Sequence, residues 1–114
     1  MPDTAPEPLL HLTERSLWEA AKASGTYEWS TRGRTLAEVG FIHCSARHQL
    51  PRVAAFLYGS YQGPDELVVL VVDPTRLTAP IRHEPGSPDS EETFPHVYGA
   101  IEVGAVVGVE RWEG

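Results

Sequence analysis

The stretch ELVVLVVDP occupies residues 66–74 and decides the fold class. Its central run, residues 67–72, contains only leucine and valine and lacks the polar alternation of a strand that has one face in water. Such a run is typical of a strand buried on both faces, which lies in the middle of a sheet. Pro74 ends it, because proline has no N–H to donate to a neighbouring strand. The sequence therefore predicts a sheet centred on residues 67–72.

Two amphipathic segments precede this strand. The first follows Thr13, a favourable N-cap residue, and the second begins near Pro51, which suits the first turn of a helix. Shorter strand-like stretches are predicted at residues 9–12, 41–45, 81–84 and 97–109. The pattern indicates an α+β fold, with a mixed or antiparallel sheet and two helices.

Length and composition fit one globular domain. The chain has 114 residues, of which 41% are hydrophobic and 22% are charged. Residues 1–8 hold three prolines and two acidic residues and predict a flexible N-terminal arm, which leaves residues 9–114 as a single domain. No apolar run is long enough to span a membrane, and the N-terminus lacks secretory signal features. We therefore expect a cytoplasmic protein with no membrane partner; the oligomeric state stays open.

Charge and cysteine content exclude several classes of function. Nine basic and sixteen acidic residues give a net charge of -7, which disfavours a general nucleic-acid binder held by phosphate contacts. The single cysteine, Cys44, excludes an intramolecular disulfide framework and a cysteine-rich zinc site. A small-molecule ligand is the partner class that these numbers leave open.

His11 and His43 each lie in an apolar strand just before a predicted helix start. Because side chains alternate across a strand, each imidazole faces away from its apolar neighbours. Two such strands would present both imidazoles at one end of a sheet, and the helix N-termini nearby would offer N–H groups to an anion. Ser45 either caps the following helical turn or contacts a ligand on the His43 side.

A third histidine, His96, lies in the motif Phe-Pro-His-Val-Tyr-Gly at residues 94–99. His96 and Tyr98 are two residues apart and share a face if this stretch is a strand. An imidazole and a phenol on one face can bind a polar ligand or move a proton. We expect His11, His43 and His96 to converge on one cleft, with Ser45 and Tyr98 on its wall. Because the histidines are not closely spaced, we expect no metal there.

These motifs resemble a bacterial family known as domain of unknown function 952. The resemblance rests on Leu-His-Leu at residues 10–12, Phe-Ile-His-Cys-Ser at 41–45, the valine-rich strand, Glu84, and the motif at 94–99. It extends from Leu9 to about Val107. The family's fold looks similar to that of ADP-ribosyltransferases, a split mixed sheet with a cleft for a nicotinamide dinucleotide.

That resemblance implies a set of site residues. His11 and the stretch His43–Ser45 look like the two positions that seat the riboses and phosphates of NAD in the tRNA 2′-phosphotransferases of that fold. It implies NAD as the cofactor. The candidate groups that bind it are His11, Thr13, His43, Ser45 and Tyr98. The late-strand glutamate of many ADP-ribosyltransferases is not matched here. Candidate catalytic residues are His11, His43, Glu84, His96 and Tyr98, and Glu84 is the acid nearest to the motifs.

Three functions remain open on the sequence alone. The first is binding of a nicotinamide or adenine nucleotide, or of an ADP-ribose-like ligand, with or without ADP-ribosyl transfer. The second is a non-catalytic small-molecule binding module that keeps the pocket without the chemistry. The third is a small hydrolase that uses its histidines directly. A carboxylate within hydrogen-bond reach of the pocket would favour the first over the second.

Overall fold

The computed structural model describes residues 7–61, 63–86 and 88–112, and residues 1–6 of the predicted arm lie outside them. The strands are Leu9–Glu14 (β1), Thr26–Tyr27 (β2), Trp29–Thr31 (β3), Arg34–Thr35 (β4), Ile42–His43 (β5), Leu67–Val72 (β6), Ile81–Pro85 (β7), Thr93–Val97 (β8), Ile101–Glu102 (β9) and Val106–Arg111 (β10). The helices are Arg15–Ser24 (α1), Leu36–Val39 (α2) and Leu50–Tyr58 (α3). Three 3₁₀ turns cover Arg47–Gln49, Pro74–Arg76 and Val103–Ala105.

The valine-rich strand is central, as predicted. β6 pairs with β1 on one side and with β10 on the other. Val68, Leu70 and Val72 are fully buried against one helical layer, and Val69 is buried on the opposite face. Burial on both faces explains why the strand contains no polar residue. All strand pairings among the described residues are antiparallel.

A second three-stranded sheet, in the order β5-β8-β7, adjoins the first one. The two sheets meet at Leu10 and Ser45, whose backbone amides each donate to the other's carbonyl at 2.8 Å. Ser45 lies beyond the end of β5 and forms an isolated bridge with Leu10, so this contact between the sheets is short. The result is a split sheet, and the split lies beside the predicted site residues.

Two hydrophobic cores lie on opposite faces of the sheets. In the first core, Trp18 and Ala21 of α1 pack on Val68, Leu70 and Ile42. The second core packs α3 on the other face, through Leu50, Ala54, Tyr58, Leu10 and Val69. Among the described residues, no helix is both long and apolar enough to cross a membrane.

The helix starts differ from the predictions in detail. Glu14, not Thr13, is the N-cap residue of α1, because β1 continues through Thr13 and buries its side chain. The fold has a third helix besides the two predicted, the four-residue α2, which Thr35 and Glu38 fix through a capping box. The Ser45 hydroxyl caps no helix either, since Ala46 precedes the 3₁₀ turn.

Candidate functional site

His11 fills the split between the two sheets. Its Nδ1 lies 2.7 Å from the backbone carbonyl oxygen of His43, and its Nε2 lies 2.8 Å from the hydroxyl of Tyr27. The side chain is buried, with 3% of its surface exposed. Since Leu10 of β1 and Ser45, which follows β5, pair through the backbone, the imidazole extends the contact between the two sheets by one more hydrogen bond. Both ring nitrogens are thus used inside the protein.

The pKa of His11 determines the direction of these hydrogen bonds. Burial lowers it to about 4, despite the bond to the His43 carbonyl, so the ring is neutral at pH 7. A neutral imidazole has one N–H, and a carbonyl can only accept, so Nδ1 carries the proton and Nε2 accepts from the Tyr27 hydroxyl. The hydroxyls of Thr13 and Tyr27 lie 2.7 Å apart, and the Thr13 hydroxyl therefore donates to Tyr27. Thr13 belongs to this buried chain, which satisfies the polar groups in the split.

Beside the split, four of the predicted site residues form one cluster. The His43 and His96 rings lie on the same face of β5 and β8, with their centroids 5.2 Å apart. His96 Nδ1 lies 2.9 Å from Glu84 Oε1, and the Tyr98 hydroxyl donates to the same oxygen at 2.5 Å. This cluster, His43, Glu84, His96 and Tyr98, is the imidazole cluster of the fold. The structure brings these residues together, and their functional roles stay predictions.

The carboxylate of Glu84 sets the protonation pattern of the cluster. Hydrogen bonds from Tyr98 and His96 lower the pKa of Glu84, and the same bond to Glu84 raises the pKa of Tyr98. An ionised carboxylate only accepts, so Nδ1 of His96 is the donor. His96 is buried, and its Nε2 has no hydrogen-bond partner among the described residues. A neutral His96 therefore has a free lone pair on Nε2.

His43 is the histidine of the cluster that faces an open groove. The groove has a volume of about 470 Å³ and lies between α3 and the β7–β8 hairpin, with His43 on its floor. Arg52 and Phe56 of α3 line one side, and Phe94 of β8 lines the other. Burial, with smaller effects from His96 and His11, lowers the pKa of His43 to about 4. The groove therefore offers a neutral imidazole that can donate and accept hydrogen bonds.

Charge in the groove comes from one ion pair. Arg52 Nη2 lies 2.7 Å from Glu92 Oε2, and 69% of the Arg52 side chain is exposed. A guanidinium has five N–H donors, so Arg52 keeps donors for a ligand while it holds Glu92. Gly86 lets the hairpin pack tightly on this side, because a Cβ there would lie 2.8 Å from Cε1 of Phe94.

The predicted anion sites at the helix starts are partly occupied. The backbone amide of Ser16, in the first turn of α1, donates to the carboxylate of Asp65 at 3.2 and 3.3 Å. The Arg15 amide donates to the carbonyl of Glu66. After Ser45, the side-chain oxygen of Gln49 accepts from the Ala46 amide. The chain's own residues occupy these three amides, which leaves fewer donors for a phosphate than two free helix N-termini would offer.

Two features of the site escaped the sequence analysis. Tyr27 is 1% exposed and binds His11, and nothing local in its sequence marks it as a partner of His11. The Phe41 ring stacks on His96 with centroids 4.1 Å apart and an interplanar angle of 16°. Phe41 and His43 are two apart in the chain and so share a strand face, which is the signal that could have found this contact.

The remaining histidines lie away from the cluster. His48 and His83 line a second open pocket of about 700 Å³, and His83 lies on the opposite face of β7 from Glu84. Within the described parts of the chain, no group of three or more histidine, cysteine, aspartate or glutamate side chains has the arrangement of a metal site. Cys44 is buried in the first core, and burial raises the pKa of its thiol to about 12.

The comparisons with known proteins identify the family. The crystal structure of protein CC0527 from Caulobacter crescentus is similar to this chain, with 29% sequence identity and a TM-score of 0.73 over 93% of this chain and 86% of that one. The solution structure of CC0527 matches with 30% identity and a TM-score of 0.66, over 90% of this chain and 81% of the other. No curated protein matches. The model of the family of proteins of unknown function DUF952 matches residues 12–109, and the chain belongs to that family.

Proposed function

We propose that the protein binds a nicotinamide or adenine nucleotide, or an ADP-ribose-like ligand, in the groove above His43. The observation that carries the proposal is the neutral His43 imidazole on the floor of a groove of about 470 Å³, beside the Phe94 ring. That volume lies within the range of small-molecule sites, which are largely apolar and contain a few orienting polar groups.

The groove provides a matching group for each part of such a ligand. Phe94 and Phe56 give aromatic faces for a planar base, and Phe56 is 88% exposed at the rim. His43 can donate to and accept from ribose hydroxyls. Arg52 offers its remaining N–H groups to a phosphate. Arg52 adds a charged donor to those of the helix starts, where the Arg15, Ser16 and Ala46 amides are already occupied.

Ligand binding can be tested by calorimetry and thermal melting with NAD, ADP-ribose and AMP. A ligand at about ten times its Kd adds about 1.4 kcal/mol to the stability of the folded state, enough to raise the melting temperature by several degrees. We expect that rise for the wild type and its loss in His43→Ala.

The matched control for this experiment is His83→Ala. His83 is an exposed histidine of the same sheet, but it lines the other open pocket. The ligands should raise the melting temperature of His83→Ala by as much as that of the wild type. The proposal is wrong if no ligand at about 5 mM shifts the wild-type melting temperature, or if His43→Ala responds like the wild type.

A second candidate function is proton transfer to or from the bound ligand by His43, which faces the groove and packs against the His96 ring. Glu84 holds the His96 ring through Nδ1 beside His43, as a carboxylate does when it positions a histidine in a proton-transfer site. We would assay nicotinamide release from NAD by chromatography. Loss of release in His96→Gln and in Glu84→Gln, with binding retained, would support an enzyme. Equal release by wild type and His96→Gln would leave the binding role alone.

A further inference from the structure

A small, mostly buried cavity lies at the split, next to the groove. Its volume is about 10 Å³, and the residues around it include His11, Ser30, His43 and Ser45. Ser30 belongs to β3, which packs close to β5 at this point. We call this space the inner cavity. Thr31, His43, Val53 and Leu57 line both the inner cavity and the groove, so the two are neighbours.

The inner cavity contains two hydroxyls that lack a hydrogen bond. Ser30 is fully buried and Ser45 is 1% exposed, and neither Oγ has a partner among the described residues. The backbone of Ser45 is already paired with Leu10, so only its hydroxyl is left to be satisfied. A buried polar group without a partner lowers stability, and native proteins rarely leave one so. Because both serines line the same cavity, a single molecule bound there would satisfy both hydroxyls.

We propose that the inner cavity binds one water molecule, which bridges the hydroxyls of Ser30 and Ser45 beside the His43 ring. The volume is about that of one water-sized probe, which is the minimum for an internal water. Two hydroxyls supply two of the two to four polar partners that such a water needs. The site does not depend on the nucleotide proposed for the groove.

The surrounding groups select a neutral ligand over an ion. Both nitrogens of His11 are occupied, and its ring is uncharged at pH 7. Cys44 keeps its thiol protonated, because burial raises its pKa to about 12. Besides the serines, the rest of the lining consists of Thr31, His43 and leucine and valine side chains. A cation would find no carboxylate there and an anion no charged donor, whereas a water can both donate to and accept from the serines.

The direct test is to look for the water in the unliganded protein. A crystal structure at better than about 1.5 Å should show density within about 3 Å of both serine oxygens, the ordinary hydrogen-bond length. Water-selective NMR should give cross-peaks from a long-lived water to the protons of Ser45 and His43. An empty cavity in the crystal together with no such cross-peak would overturn the proposal.

A double-mutant cycle gives an independent readout. If both serines hold one water, Ser30→Ala and Ser45→Ala each remove one of its partners. The loss of melting temperature in the double variant should then be smaller than the sum of the losses in the two single variants. Ser24→Ala is the control, because the Ser24 hydroxyl bonds to carbonyls around the end of α1. The double variant of Ser24→Ala and Ser45→Ala should lose as much melting temperature as the two single variants together. Additivity of Ser30→Ala and Ser45→Ala, within error, would contradict a shared water.

The cycle also needs a readout that a purely structural loss would not move. Each serine variant should shift the His43 ring resonances in the folded protein, whereas Ser24→Ala should leave them at their wild-type positions. Unchanged His43 resonances in both cavity variants would place the water, if any, away from His43 and would refute the proposal. Because none of these measurements uses a nucleotide, their result is separate from the outcome of the groove titrations.

Discussion

His11 occupies the position where a backbone amide would lie if the two sheets were continuous. Its Nδ1–H donates to the His43 carbonyl, and its Nε2 accepts from Tyr27. A buried polar residue is tolerated when each of its groups has a partner, and here every one does. The same burial keeps the ring neutral, so its protonation should affect folding.

The first prediction concerns His11 and acid. The folded-state pKa is about 4 against an ordinary 6.5, so the unfolded chain binds this proton more tightly. The contribution of neutral His11 to the free energy of unfolding is complete above pH 6.5 and is lost as the pH falls toward 4. A pKa difference of that size corresponds to about 3 kcal/mol at the acid end. The free energy of unfolding, measured with urea, should fall less steeply between pH 7 and pH 4.5 in His11→Gln than in the wild type.

His83→Gln is the control for the pH experiment, because His83 is exposed and belongs to the same chain. Its unfolding curve should follow that of the wild type at each pH. If His11→Gln shows the same pH slope as the wild type, His11 does not lose a proton on folding, and the hydrogen-bond directions derived above are wrong.

The second prediction concerns Glu84. Its Oε1 accepts from both His96 Nδ1 and the Tyr98 hydroxyl, and His96 is buried. Glu84→Ala removes the partner of a buried N–H, which is one of the changes that destabilise proteins most. We expect the melting temperature to fall by several degrees, while Glu91→Ala in the exposed loop leaves it unchanged. Equal melting of the two variants would show that His96 finds another acceptor.

At the scale of secondary structure, β6 shows how one strand supports both faces of the sheet. Val69 is 1% exposed and packs in the second core, while Val68 and Leu70 pack in the first. A carboxylate at residue 69 would lie between β1 and the helix α3 without a cation. The free energy of burying an unpaired charge is several kcal/mol, comparable with the whole stability of a small domain.

The third prediction is that Val69→Asp does not fold. Circular dichroism and gel filtration should show an unfolded or aggregated chain at 25 °C. Val107→Asp is the matched substitution on β10, where the side chain is 53% exposed, and it should melt cooperatively near the wild-type temperature. A soluble, cooperatively melting Val69→Asp protein would contradict the central position of β6.

How much the sequence predicts depends on the range of the interaction. The unbroken run of leucine and valine at residues 67–72 predicts β6, and Pro51 correctly predicts the first turn of α3, because both signals are local. The role of Thr13 was misassigned, because its burial under Tyr27 is a tertiary contact that outweighs its N-cap preference. The short helix α2 has too few residues to show a hydrophobic period.

The same difference between local and long-range signals applies to the residues of the candidate site. The motifs at 41–45 and 94–99 mark His43 and His96, and the structure brings them together across β5 and β8. Glu84 was predicted as the acid nearest to the motifs, and the hairpin β7–β8 brings it to His96. The groove residues on α3, Arg52 and Phe56, were missed. Their contribution depends on how α3 sits against the hairpin, which no local pattern contains.

At the scale of the whole molecule, the acidic charge and the proposed anionic ligand need to be reconciled. The net charge of -7 repels an anion at long range, and this repulsion is screened beyond about 10 Å at 0.1 M salt. Arg52 acts at contact distance and is less screened. The whole-molecule field therefore slows ligand approach more than it weakens a formed contact, and it disfavours long nucleic acids more strongly than mononucleotides.

The last prediction concerns how the two cores are joined. β1 contributes Leu9 to the first core and Leu10 to the second, and β6 likewise sends side chains to both. Neither core can lose its strands without exposing the other, so the protein should unfold in one cooperative step. Ile101→Ala in the first core and Leu50→Ala in the second should each cost about 2–5 kcal/mol, as buried large-to-small substitutions do. Unfolding of both variants can be followed by tryptophan fluorescence, which includes buried Trp18, and by far-UV circular dichroism. The two signals should give the same lowered unfolding midpoint. Two separate transitions in either variant would mean that the shared strands do not couple the cores.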